Sequence, residues 1–148
     1  MHWLLNAHVR RYHQHDRGSG HIWQGRYQSF PIEQDEHLLT VLRYIERNPV
    51  RAKLAKRAER WAWSSARYWQ EEAVHPTYLA AGPVKRPAAW LDWVNKPLTV
   101  GELEDVRRCV KRGAPYGTEA WIRKTASRLA LEHTVRPRGR PRKQARHK

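Results

Sequence analysis

Along residues 35 to 48 the apolar positions Leu38, Val41, Leu42 and Ile45 recur at i, i+3, i+4 and i+7, which predicts a helix with one buried stripe. Asp35 stands where an N-cap or first-turn acid belongs. Pro49 has no N–H for the helical ladder, and Asn48 before it is biased away from helical dihedrals, so the helix is expected to end at or near Asn48. At about 100° per residue, Tyr44 and Asn48 share one flank of the apolar stripe with His37. That placement leaves Tyr44 half-buried, with its hydroxyl at a cleft edge.

The same pattern predicts the other elements. Residues 2 to 14 read as a helix with Trp3, Leu4, Ala7, Val9 and Tyr12 apolar, closed by a loop from Asp16 to Gly20. Residues 21 to 32, with Ile22, Trp23, Tyr27, Phe30 and Ile32, read as a loop leading into a strand whose far end is marked by Pro31. Val50 to Ala58 is a basic connector, and Trp61 to Ser65 starts a short turn or helix with a serine near its N-cap. The stretch from His75 to Pro97 holds four prolines and reads as an irregular linker pinned by Trp90, Leu91 and Trp93. Thr99-Val100-Gly101-Glu102 spells a capping box ahead of Leu103, Val106, Cys109 and Val110, predicting a helix over 99 to 112 that Gly113 ends. Thr118 is placed to cap a further helix through Leu131, with Trp121, Ile122, Thr125 and Leu129 inward. This helical pair has the connectivity of a helix-turn-helix, although most such pairs only pack.

Composition narrows the class. The chain has 148 residues and a net charge of +15, room for one modest domain plus an extension that favours a polyanionic partner, with nucleic acid foremost. Eight tryptophans against one phenylalanine supply either core filler or base-stacking surfaces, core being the commoner use. A single cysteine, Cys109, excludes an internal disulfide and any multi-cysteine zinc site, and its apolar surroundings predict a small buried side chain. No apolar run is long enough to cross a bilayer, and Arg10 and Arg11 interrupt the N-terminal stretch where a signal peptide would be apolar. A cytoplasmic, nucleoid-associated protein is expected.

Three segments in fixed order carry a resemblance: Trp23-Gln24-Gly25-Arg26-Tyr27, then Tyr44-Ile45-Glu46-Arg47-Asn48-Pro49-Val50-Arg51-Ala52, then Trp61-Ala62-Trp63-Ser64-Ser65. Together they resemble the C-terminal half of the catalytic domain of the REP-associated tyrosine transposases, small single-tyrosine enzymes of the HUH nuclease group. The resemblance covers residues 1 to 70 and implies an α+β fold: a mostly helical remnant of a ferredoxin-like domain with one or two short strands, then a basic helical extension. The implied division is a catalytic-domain half over 1 to 70, a linker over 71 to 98, a two-helix segment over 99 to 131 and a tail over 132 to 148. It further implies that Tyr44 attacks a DNA phosphodiester to form a 5′-phosphotyrosine link, that Asn48 is a ligand of a divalent metal, Mg²⁺ or Mn²⁺, and that the reaction serves DNA transposition. A phenol with an ordinary pKa near 10 needs such help at neutral pH.

The family's His-hydrophobic-His strand is missing from these residues. His13-Gln14-His15 has a polar centre and lies in a helical stretch, where its two rings diverge by about 200°. The expectation is therefore a chain that begins downstream of the metal motif and is inactive alone. Arg26, Arg43 and Arg47 are the expected DNA contacts beside Tyr44. In the tail, Arg136, Arg138, Arg140, Arg142 and Lys143 surround a Pro-Arg-Gly-Arg-Pro core that resembles an AT-hook, suited to a narrow A·T-rich minor groove. The competing readings are a generic polycationic tail and, for the whole chain, a non-catalytic nucleic-acid-binding module with a structural Tyr44. A ribosome-type RNA binder is disfavoured because the aromatic motifs lack an RNA-recognition spelling.

Overall fold

The structure, a computed structural model, describes residues 2–23, 28–70, 73, 74 and 76–136. Helix α1 covers His2–Asp16 and α2 covers Glu36–Arg51. Two 3₁₀ turns follow at Ala58–Arg60 and Ser65–Trp69, then α3 at Trp90–Asn95, α4 at Val100–Arg112, α5 at Glu119–Arg128 and α6 at Glu132–Val135.

The predicted helix starts are largely found. The Asp35 carboxylate accepts the His37 backbone N–H at 2.8 Å, and Ser64 Oγ accepts the Ala66 N–H at 3.2 Å at the head of the second 3₁₀ turn. Thr99 and Glu102 form the reciprocal capping box, and Gly113 closes α4 in the left-handed region at φ 65°. At Thr118 the cap is positional only, because its side chain makes no capping bond. Helix α5 stops at Arg128, three residues short of the expected end.

Three expectations are corrected. First, α2 runs through Pro49 to Arg51. The proline sits in the last turn, where its missing N–H removes one ladder bond, while Ala52 N–H still reaches Asn48 O at 2.9 Å and Leu54 N–H reaches Pro49 O at 2.9 Å. Second, the buried stripe is wider than expected and shifted: Val41 and Leu42 are packed as predicted, but Leu39, Arg43 and Glu46 are buried beside them, and Ile45 is 55% exposed. Third, no strand forms over 21–32 among the described residues. The β-structure shown there is a single parallel bridge between Ile32 and Tyr116, in which Tyr116 N–H donates to Pro31 O and Glu33 N–H donates to Tyr116 O, both at 2.9 Å. With no second strand alongside, the ladder has nothing to extend along.

The core explains the shifted stripe. Leu39, Ala58, Ala66, Trp90 and Val94 form the apolar cluster, with Leu42, Val50, Trp69, Val84, Leu91 and Trp93 packed on it. Within it Glu46, 2% exposed, accepts Ser65 Oγ–H at 2.8 Å and the Trp69 indole N–H at 3.0 Å on one oxygen, and the Trp90 indole N–H at 2.8 Å on the other. Three donors replace the carboxylate's water shell, which makes its burial tolerable. Arg86 adds a guanidinium 3.7 Å from the Trp69 ring centroid, and burial lowers the pKa of that guanidinium despite Glu46 nearby.

Arg43, 4% exposed, and Arg47 hold the far end of α3. Arg43 donates to the carbonyls of Trp93, Lys96 and Pro97 at 3.0, 3.1 and 2.8 Å, and Arg47 donates to those of Val94 and Asn95. A helix C-terminus leaves such carbonyls unpaired and negative, so two cations from α2 dock the stretch expected to be irregular linker. The core therefore draws on residues on both sides of position 70. Val106, Cys109, Ala114 and Ala126 are buried as well, Cys109 as expected, with its thiol pKa pushed up by burial.

Candidate functional site

Because α2 continues past Pro49, one flank carries His37, Tyr44, Asn48 and Arg51, at spacings of seven, four and three residues. Tyr44 is half-buried at the edge of a cleft of about 140 Å³ lined by Arg47, Arg51, Pro97, Leu98 and Leu103. This is the placement its helical position predicts. Leu103 at the start of α4 stands beside Tyr44, and Cys109 and Arg112 near its end share a second cavity with His37, so α4 runs antiparallel along this flank. That wall was not foreseen. Arg51 was missed too, because a helix ending at Asn48 gives it no defined direction.

Asn48 has the expected flank, but its side-chain oxygen accepts both Nε and an Nη of Arg51, at 3.1 and 2.9 Å. The Arg51 guanidinium occupies the Asn48 oxygen that would face a metal, and no histidine among the described residues lines the cleft. The metal implied by the family resemblance therefore does not fit these residues in this arrangement. Among the described residues, the group able to offer three metal-ligating atoms within 4.8 Å of one another is Glu33, Asp35 and His37, all partly buried. His37 lies seven residues before Tyr44, about 10 Å along the axis, and about 16 Å from Asn48. The cluster is held from within the protein: Asp35 Oδ1 is 2.9 Å from His37 Nδ1, Glu33 accepts the Thr118 N–H at 2.6 Å, and the His37 ring meets Tyr116 edge-on with centroids 5.0 Å apart. His13 and His15 point elsewhere, His13 to Gly20 O at 2.9 Å and His15 to Asp16 at 3.4 Å.

The expected DNA contacts separate. Arg43 is spent inside the protein: besides its three carbonyls it lies 3.6 Å from Glu102, and burial lowers its pKa. This placement presents no Arg43 nitrogen to a ligand in the manner expected. Arg47 both lines the Tyr44 cleft and caps α3. Arg136 is exposed beyond α6, its carbonyl accepting from Arg112. Arg26, Arg138, Arg140, Arg142 and Lys143 lie outside the described residues, as does most of the AT-hook-like segment.

Exposed cations line α4, where Arg107, Arg108 and Lys111 share a shallow surface with Arg112, and continue on α5 with Arg123, Lys124 and Arg128. Ion pairs with Asp105 at 2.8 Å and Glu119 at 3.5 Å neutralise Arg108 and Arg123 in part. No described helix is long and apolar enough to cross a membrane. Compared with known proteins, the chain matches no family model, no curated protein and no solved structure.

Proposed function

We propose that this chain is a DNA-binding protein of the single-tyrosine transposase kind, in which Tyr44 is the residue that meets a DNA phosphate. One observation carries the reading: Tyr44 stands at a cleft edge beside Arg47 and Arg51, on a helix whose opposite face is locked into the core. The net charge of +15 supplies attraction to a polyanion, and the two guanidiniums place positive charge beside the tyrosine. In the complete reaction the phenol oxygen forms a bond to phosphorus, the bond from phosphorus to the 3′ oxygen of the preceding sugar breaks, and the phenol proton passes to a base. Among the described residues the cleft offers cations for the phosphate but no histidine or carboxylate to take that proton. On these residues the chain binds DNA and leaves it uncut.

The test uses a labelled single-stranded hairpin DNA with Mg²⁺ or Mn²⁺. The chain alone is expected to give little or no covalent adduct, and fusing or adding a His-hydrophobic-His strand is expected to restore one that Tyr44→Phe abolishes. An adduct that persists in Tyr44→Phe overturns the reading. The second reading, a nucleic-acid-binding module without catalysis, is favoured by the Arg51 guanidinium on Asn48. It predicts that no added strand restores an adduct while DNA affinity still falls steeply with salt.

A further inference from the structure

Next to the second 3₁₀ turn lies a groove of about 400 Å³ that the Tyr44 cleft does not include, with Trp63, Arg67, Tyr68, Tyr78 and Leu79 in its walls. Its volume falls in the range of about 300 to 1,000 Å³ typical of small-ligand sites. The rings are unusually open to solvent, Trp63 at 86% and Tyr78 at 81% exposed. Open aromatic rings gathered in one groove mark a binding surface more often than rings scattered singly. The phenol oxygens of Tyr68 and Tyr78 stand 3.4 Å apart, which fixes one ring relative to the other. The Arg67 guanidinium lies 5.4 Å from the Tyr68 ring centroid and donates to Ala62 O at 3.1 Å, so its plane is held beside the groove. Among the described residues, no acidic side chain lines the groove.

The groove is built on firm ground. Ser65 and Trp69, on either side of Arg67 and Tyr68, both donate to the buried Glu46 carboxylate, and Ser64 caps the turn between. Glu46 leaves α2 about 200° from Tyr44, so the groove and the cleft are separate surfaces of the molecule. Exposed rings with a neighbouring guanidinium suit a planar π-face on a negatively charged backbone. Base pairing hides those faces inside the duplex stack, which leaves the unpaired strand as the matching form.

We propose that Trp63, Tyr68 and Tyr78, with Arg67, form a stacking groove for unpaired bases of single-stranded DNA. The proposal deepens the DNA-binding reading by adding a contact that does not use Tyr44. Fluorescence anisotropy with the full chain and a labelled oligothymidylate tests it. Trp63→Ala and Tyr78→Ala are each expected to weaken binding by about tenfold or more, the size of one lost base stack, while Trp63→Phe keeps most of the affinity. Both side chains are open to solvent, so their thermal melts are expected to match the parent. A duplex of the same length is expected to lose little. Unchanged oligothymidylate affinity in both alanine variants, an equal loss on duplex, or a loss seen only with an oligouridylate overturns the proposal. The two readings fail separately: with the His-hydrophobic-His strand supplied, an adduct dependent on Tyr44 but no affinity loss at Trp63 or Tyr78 sinks the groove alone, and an affinity loss there with no adduct dependent on Tyr44 sinks the nucleophile alone.

Discussion

The two faces of α2 solve opposite problems with similar residues. The inner face buries a carboxylate and a guanidinium, Glu46 and Arg43, and answers them with indole N–H groups, a serine hydroxyl and helix-end carbonyls. On the outer flank Asn48 meets Arg51 and His37 meets Asp35, pairs drawn from within the helix and its cap. The inner bonds join segments that are 19 to 54 residues apart in sequence, whereas the outer ones close over two or three. Polar groups bound to distant partners hold a fold together, and those bound to neighbours can be rearranged by a ligand without unfolding it.

Substitutions on the two faces test this contrast directly. Glu46→Ala is expected to have the largest effect, a loss of about 3 to 5 kcal/mol in urea unfolding, because it strands two indole N–H groups and a hydroxyl in the core. A loss below about 1 kcal/mol would show that the inner face is not held by its carboxylate. Arg43→Ala comes next, at about 2 to 3 kcal/mol, because the carbonyls of Trp93, Lys96 and Pro97 each lose the guanidinium N–H they accept from, only Trp93 O keeping a bond from Lys96 N–H. The same variant should loosen α3 selectively, seen as faster amide exchange from residue 90 to 95 than in α4. On the outer flank Tyr44→Phe is expected to change stability by no more than about 0.5 kcal/mol while removing any adduct. If Tyr44→Phe unfolds the protein as readily as Glu46→Ala, the distinction between the faces fails.

What could be read in advance follows the same division. Local rules were legible: Asp35, Ser64 and Thr99 cap where their types and spacing say they should, and Gly113 ends α4. The flank holding Tyr44, His37 and Asn48 was legible as well, since it depends only on helical period. The direction of the core was not. Counting apolar positions points the helix at Ile45, but the interior accepts Arg43 and Glu46 because Trp90, Trp69 and the end of α3 supply their partners, all of them distant in sequence. The proline stop misled for a related reason: one missing N–H in a final turn costs little, so Arg51 joined the flank unseen. The strand over 21–32 needed a neighbour to pair with, and apolar alternation cannot supply one. Tryptophan usage was half legible, since Trp90 serves the core whereas Trp3 and Trp63 stand in solvent.

Helix α1 buries none of its fifteen residues. Isolated helices of about 12 to 15 residues are marginal in water, and beyond its own ladder the contacts shown for α1 are local, the His8 ring on Trp23 and His13 on Gly20 O. It should therefore melt on its own schedule: deuterium should enter its amides, and a protease should reach the junction near Gly18 and Gly20, long before either touches α2. In thermodynamic terms the molecule's first unfolding event is expected in this helix.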